Sequence, residues 1–291
     1  MLENFVEYFT APGDSTSAAR RSATADPPLV RALLIATAML FLGLFLFVPV
    51  AAVFAEALKD GLGAYLAAIS SREARDAIRL TLLTAAIAVP LNVVFGVAAS
   101  WLIARFEFPG KHTLMTLIDI PFSVSPVISG MLFVLLLGAR SPLGGWLVDC
   151  GVRIIFAEPG IILATIFVTF PLAARELIPI MQVGSQEEEA ALVLGAGGWQ
   201  MFWRVTLPNI KWGVLYGAVL CNARAMGEFG AVSVVSGHIR GMTNTMPLYV
   251  EILYNDYQFT AAFAVVSLLT LLAVVTLVLK QLLSRRAAQG A

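Results

Sequence analysis

Ser185-Gln186-Glu187-Glu188-Glu189-Ala190-Ala191-Leu192-Val193-Leu194-Gly195, continued by Ala196-Gly197-Gly198-Trp199-Gln200-Met201-Phe202-Trp203-Arg204-Val205-Thr206-Leu207-Pro208, lies in the longest interval between apolar runs of this chain. Ser185 is a residue type that caps helix starts, and the three acids behind it suit the positive end of a helix dipole. Ala190, Ala191, Leu192 and Leu194 carry the helix onward, and Gly195 permits the left-handed turn that ends it. A second amphipathic stretch, Trp199 to Arg204, follows, and Pro208 precedes the next apolar run. The interval therefore reads as a compact helix–turn–helix.

What flanks this interval sets its context. The chain has 291 residues, 59% hydrophobic and only 13% charged, where a soluble domain is about one quarter charged. Uncharged apolar runs place six spans at about 32–55, 80–104, 115–139, 158–178, 212–237 and 259–280. Runs of this kind are helices, because a hydrocarbon environment leaves no other partner for backbone N–H and C=O groups. The reading is an all-α polytopic membrane protein. Residues 1–31 form a polar N-terminal tail, 281–291 a short C-terminal tail, and no cleavable signal is expected because the first run is too long and too far from the start. Nineteen basic and nineteen acidic residues balance, which argues against a nucleic-acid partner. Cys150 and Cys221 make neither a disulfide framework nor a zinc site, and no metal site or catalytic set is expected.

Lysine and arginine in the loops orient the spans. With both termini in the cytoplasm, Arg105, Lys111, Arg175, Arg204 and Lys211 fall on the inner side, and so does the interval 185–208. The opposing cluster Arg72, Arg75 and Arg79 is interleaved with Glu73 and Asp76 and reads as an interfacial helix leading into the second span. The fourth helix is expected to continue past Arg175.

Glu189-Ala190-Ala191, three residues, Gly195, nine residues, Val205, one residue and Leu207-Pro208 resembles the EAA motif of ABC importer permeases, EAA-x3-G-x9-I-x-LP, with valine in place of isoleucine. The resemblance implies a type I importer permease fold with six transmembrane helices and a cytoplasmic coupling helix. It also implies that Glu188, Glu189, Ala190, Ala191, Leu192, Gly195, Leu207 and Pro208 serve docking to an ATPase subunit, with the acidic face meeting basic partner side chains. No G-x4-G-K-[ST] phosphate loop occurs, so ATP and Mg are expected on the partner and no cofactor on this chain.

The fifth span contains Arg224-Ala225-Met226-Gly227-Glu228-Phe229-Gly230-Ala231. Arg224 and Glu228 are four apart, which on one helix places them on one face. Two readings stay open: a structural ion pair that locks the span, or a lining in which Arg224 attracts an anion and Glu228 tunes it. The segment resembles the RAxGEFGA stretch of sulfate and molybdate permeases. Its continuation, Val232 to Gly241 and Thr243 to Leu248, resembles CysW-type subunits of sulfate/thiosulfate importers.

The third span opens Asp119-Ile120-Pro121-Phe122-Ser123-Val124-Ser125-Pro126, and is also similar to sulfate permeases. Prolines there predict a broken helix, with Ser123, Ser125 and Ser129 as candidate donors to an oxyanion or else a kink that serves packing. His238 and Arg240, between spans five and six, either meet a periplasmic binding protein or form a solvated loop.

The resemblance implies an inner-membrane assembly of this chain, a CysT-type second permease, two copies of a sulfate-type ATPase and a periplasmic sulfate/thiosulfate-binding protein, in contact with membrane lipid. Two alternatives are a permease for molybdate or tungstate, and a self-sufficient ion-coupled carrier. The carrier would show inverted repeats with two broken helices, and only one break is legible.

Overall fold

A computed structural model describes residues 28–183 and 185–289. The N-terminal tail up to residue 27 and the cap expected of Ser185 lie outside what it describes. The described chain is helical and divides into two units at Ala52 and Val53. The first unit holds α1 (Pro28–Leu42), a π-helical turn (Gly43–Phe47) and the start of α2 (Val48–Ala57). Together these form an apolar helix from Leu29 to Ala57, enough to cross a bilayer.

The second unit continues with α3 (Gly61–Ser70) and α4 (Arg72–Arg105). Ser71 Oγ accepts a 3.2 Å bond from Ala74 N and caps α4. Arg72, Arg75 and Arg79 thus occupy the first turns of the spanning helix itself, not a separate interfacial helix. Serine supplies the cap, and the intervening Glu73, Ala74 and Ala77 are good helix formers, so nothing stops the helix before Leu80.

The third span is two helices, α5 (Lys111–Ser123) and α6 (Pro126–Leu137), bent by 105°. The break falls where the prolines of the third span, expected over 115–139, place it. Pro126 bars Ser125 from helical geometry, and Val124 and Ser125 are extended. After α7 (Pro142–Asp149) comes α8 (Glu158–Val183), which passes Arg175 by two turns as anticipated. Arg175 is therefore inside α8.

Helix α9 (Ser185–Val193) is followed by α10 (Gly198–Met201), a π-helical turn (Phe202–Thr206) and α11 (Leu207–Met226). Residues Gly198–Met226 run as one helix, so Trp199–Arg204 is not a separate connector and Pro208 does not interrupt the chain. A widened π turn just ahead of Pro208 relieves the clash between its ring and the preceding turn. The fifth span bends by 53° into α12 (Gly230–Ser236). Helix α13 (Met246–Asn255) precedes α14 (Phe259–Gln289), which runs on through most of the expected C-terminal tail. Among the described residues four helices are long and apolar enough to cross a membrane, and up to six spans result if each bent pair counts as one.

The spine is α4 against α8. Gly96 rests on Ala173, where a Cβ would come within 2.6 Å of the alanine methyl. Small residues at such seams let backbones approach without a hydrophobic driving force. Asn92 Nδ2 donates to Thr169 Oγ1 at 2.6 Å and Ser100 Oγ donates to the Ala174 carbonyl at 3.1 Å, which fixes the axial register of the pair. Helix α11 joins α8 through Gly217 beside Ala173 and a Cys221 Sγ bond to the Thr169 carbonyl at 3.6 Å. Leu80, Ile161, Val168, Val232, Val235 and Leu248 form a core that ties α4, α8, α12 and α13 together.

Candidate functional site

The interval 185–208 forms a hook. Gly195, at φ +89°, ends α9 in a left-handed turn. Ala196 N donates to the Ala191 carbonyl at 3.0 Å and Gly195 N to the Leu192 carbonyl at 2.9 Å, the paired bonds of a Schellman cap. Nothing lies within 4 Å of where a Cβ on Gly195 would sit, so backbone conformation, not space, calls for glycine.

Anchoring comes from two adjacent acids. Glu188 Oε1 accepts from Thr206 Oγ1 at 2.8 Å, and Glu188 Oε2 lies 2.5 Å from Arg105 Nε, an ion pair without the alignment of a hydrogen bond. Asn209 Nδ2 donates to Glu187 Oε2. Glu188 is buried. It does not belong to an outward acidic face as expected; it links α9 to the end of α4 and to the π-helical turn ahead of α11. Leu207 also points inward, packing beside Leu177, Met181 and Ile210. Pro208 is exposed at the head of α11.

The outward surface is apolar. Leu194 is 87% exposed and Trp199 70%, with Leu192 and Val193 also open. Ala190 and Glu189 are exposed and Ala191 half-buried. Trp199 stacks on Phe202, with ring centroids 6.0 Å apart, and Phe202 lies 4.9 Å from Trp101 of α4. Val193, Leu194 and Trp199 were absent from the residues expected to dock. The signal that could have found them is that a run of large apolar side chains in so short a helix outstrips what one buried face can absorb. A cleft of about 570 Å³ opens beside the hook, lined by Trp101, Arg105, Glu188, Leu192 and Met201 among others.

The second candidate region lies where the two bent spans meet. Gly130 of α6 sits against the Ala231 carbonyl of α12, and Gly230 sits against Pro126. The second break was hidden in the sequence. Helix α11 ends at Met226 with Gly227 as its C-cap, so Arg224 and Glu228 are not on one continuous helix. They still pair, Arg224 Nη1 to Glu228 Oε2 at 2.8 Å. Glu228 Oε1 also accepts from Ala231 N at 3.1 Å and so caps α12. The Glu228 side chain is 1% exposed and that of Arg224 40%. A charge facing lipid deep in a bilayer costs at least about 2.5–3.5 kcal/mol, so the open side of Arg224 is expected to face protein or water.

Ser123 and Ser125 are exposed at the α5–α6 break, while the buried Ser129 hydroxyl is spent on the Ser125 carbonyl at 3.3 Å. Ser129 is therefore withdrawn as a donor. Arg240 Nη2 donates to Asp256 Oδ2 at 2.6 Å, which ties the loop after α12 to the end of α13, and His238 is exposed.

The family described as "Binding-protein-dependent transport system inner membrane component" matches residues 96–289. The chain belongs to this family. Among such inner-membrane components it is 52% identical over 258 residues to the sulfate transport system permease protein CysW of Synechocystis sp., covering 88% of this chain and 94% of the relative. It is 31% identical over 234 residues to the sulfate transport system permease protein CysT of Escherichia coli, covering 80% and 84%. A chain from a crystal structure of a bacterial alginate ABC transporter, in complex with an alginate pentasaccharide-bound periplasmic protein, superposes with a TM-score of 0.73 at 21% identity, covering 89% of this chain and 94% of that one. At that identity the likeness is one of fold, and the fold is that of an ABC importer permease. Family membership, not the number of broken helices, rules out the self-sufficient carrier.

Proposed function

We propose that this permease is the CysW-type half of an ATP-driven importer for sulfate and thiosulfate, and forms the translocation route with a CysT-type second permease. The observation that carries the reading is 52% identity to CysW across nearly the whole length of that relative. The hook 185–208 supports a division of labour. Leu192, Val193, Leu194 and Trp199 offer an apolar docking face to an ATPase subunit, with Glu189, Ala190 and Ala191 beside it. Glu188 and Glu187 relay displacement of that face to α4 and α11. ATP and Mg reside on two ATPase copies, this chain performs no chemistry of its own, and a periplasmic sulfate/thiosulfate-binding protein delivers the cargo. Both termini and the hook face the cytoplasm of a bacterial inner membrane.

Closure of the two ATPases then swings each permease as a rigid body, with different contacts in the two states. The α4–α8–α11 spine suits such motion because its polar and small-residue contacts fix one register. Arg224, with Ser123 and Ser125, lines the route. The test is sulfate uptake by vesicles holding the assembled complex. Uptake is expected only with ATP on the side of the hook and binding protein on the other. Uptake of molybdate but not sulfate would replace the substrate, and uptake without ATP would overturn the reading.

A further inference from the structure

A second arginine stands open within the spans. Arg175 Nε donates to Asp119 Oδ1 at 2.7 Å, joining α8 to α5, and its guanidinium carbon lies 4.6 Å from the centre of the Phe122 ring. Unlike the sequestered pair at Glu188, this one is open: the Arg175 side chain is 53% exposed and that of Asp119 44%. Arg175 is eight residues, or about 12 Å at 1.5 Å per residue, from the end of α8. Exposed charge on a spanning helix turns toward water or protein and away from lipid.

Its geometry is that of a half-occupied anion clamp. Among the described residues the guanidinium is bonded through Nε alone, which leaves both Nη nitrogens unbonded. Ser123, one turn beyond Asp119 on α5, is exposed on the same helix face and makes only a stretched 3.5 Å contact to the Asp119 carbonyl. Two guanidinium N–H directions and a hydroxyl suit a tetrahedral oxyanion. The contacts of Gly217 with Ala173 and of Cys221 with Thr169 set the register of α11 on α8. On that register Arg224 and Arg175 are about nine residues, or roughly 13 Å, apart along the axis.

We propose that Arg175, held by Asp119, is a second anion stop on the translocation route, between Arg224 and the hook, and that Asp119 keeps its affinity low. The proposal rests on the importer reading above. An oxyanion arriving from Arg224 engages the free Nη groups and Ser123. The Asp119 carboxylate repels it and reclaims the guanidinium as it leaves. Passage requires binding weak enough to end, and a neighbouring carboxylate supplies that weakness.

The experiment measures ATP-driven sulfate uptake and complex recovery for the full assembly in vesicles. Arg175→Gln is expected to lower maximal uptake at least tenfold, with the half-saturating concentration of loaded binding protein unchanged and both permeases recovered together. Arg175→Lys is expected to stay within about threefold of the original. The charge exchange D119R/R175D is expected to remain as poor as Arg175→Gln. Restoration of uptake by the exchange would show a purely structural bridge and overturn the proposal. Loss of the second permease from Arg175→Gln would assign the pair to the interface between permeases and overturn it equally. If the unmodified complex fails to import sulfate, the importer reading itself falls, which is separable from any effect at residue 175.

Discussion

Thr206 donates a 2.8 Å hydrogen bond to Glu188 from the π-helical turn that leads into the fifth span, and both residues are buried. The same carboxylate faces Arg105 at the end of α4. Removing one partner of a buried ion pair leaves the other uncompensated, at a cost of about 3–5 kcal/mol. Glu188→Ala is thus expected to loosen the hook more than Thr206→Val, which forfeits one hydrogen bond worth about 1 kcal/mol plus the unmet acceptor. Limited proteolysis between residues 183 and 198 checks the order. Equal protection of the two variants would remove Glu188 from the anchoring role.

Gly195 holds a left-handed conformation in open space. Gly195→Ala is expected to cost about 1–2 kcal/mol of local strain, and Gly195→Asn less, because asparagine visits this region more readily. Recovery of the ATPase with the tagged permease is the measurement. The expected order is glycine, asparagine, alanine, and a reversed order would mean that room rather than backbone geometry governs the position.

Leu194 and Trp199 reach outward from the hook and support little of the fold. Leu194→Ser is expected to change the permease's own stability by no more than about 0.5 kcal/mol, and Trp199→Ser to cost about 0.5–1.5 kcal/mol through the lost stack on Phe202. They are expected to weaken ATPase association by tenfold or more, as buried apolar anchors do when truncated. Thermal unfolding of the detergent-solubilised permease and ATPase titration separate the two effects. Unchanged association would move the docking face elsewhere.

Arg224 and Glu228 call for a paired substitution. Arg224→Ala alone strands the buried Glu228 carboxylate, so loss of function in that variant is ambiguous. The double variant R224Q/E228Q removes both charges and keeps an acceptor for Ala231 N. It is expected to assemble normally and to take up sulfate at least tenfold more slowly. Normal uptake would confine the pair to a structural role.

Legibility followed the range of the interactions. Gly195 and Pro126 were readable because a left-handed turn and a pre-proline break are decided by one or two residues. The burial of Glu188 was not, since Arg105 comes from a different helix and Thr206 from beyond a turn. The break at Gly227 also escaped notice. Glycine is common in membrane helices, and the i, i+4 spacing of Arg224 and Glu228 fitted an unbroken one. Helix α13 was hidden because Met246–Asn255 is short and the polar stretch Thr243-Asn244-Thr245 ahead of it, though buried, reads as loop. The fourth helix passes Arg175 as the span expected over 158–178 requires, but its partner Asp119 lies on another helix and is not legible in the sequence.

The bend of the fifth span is cross-tied. Glu228 is held on one side by Arg224 before the bend and on the other by Ala231 after it. Ties to both limbs are expected to resist opening of the 53° bend. The span has the shape of a bell crank: a thrust delivered along α11 from Thr206 is expected to emerge at α12 with a sideways component. Helix α6 rests directly on α12 through Gly130 and Ala231. A sideways displacement of α12 is therefore expected to carry Pro126–Leu137 with it, although the thrust enters at the opposite end of the fifth span.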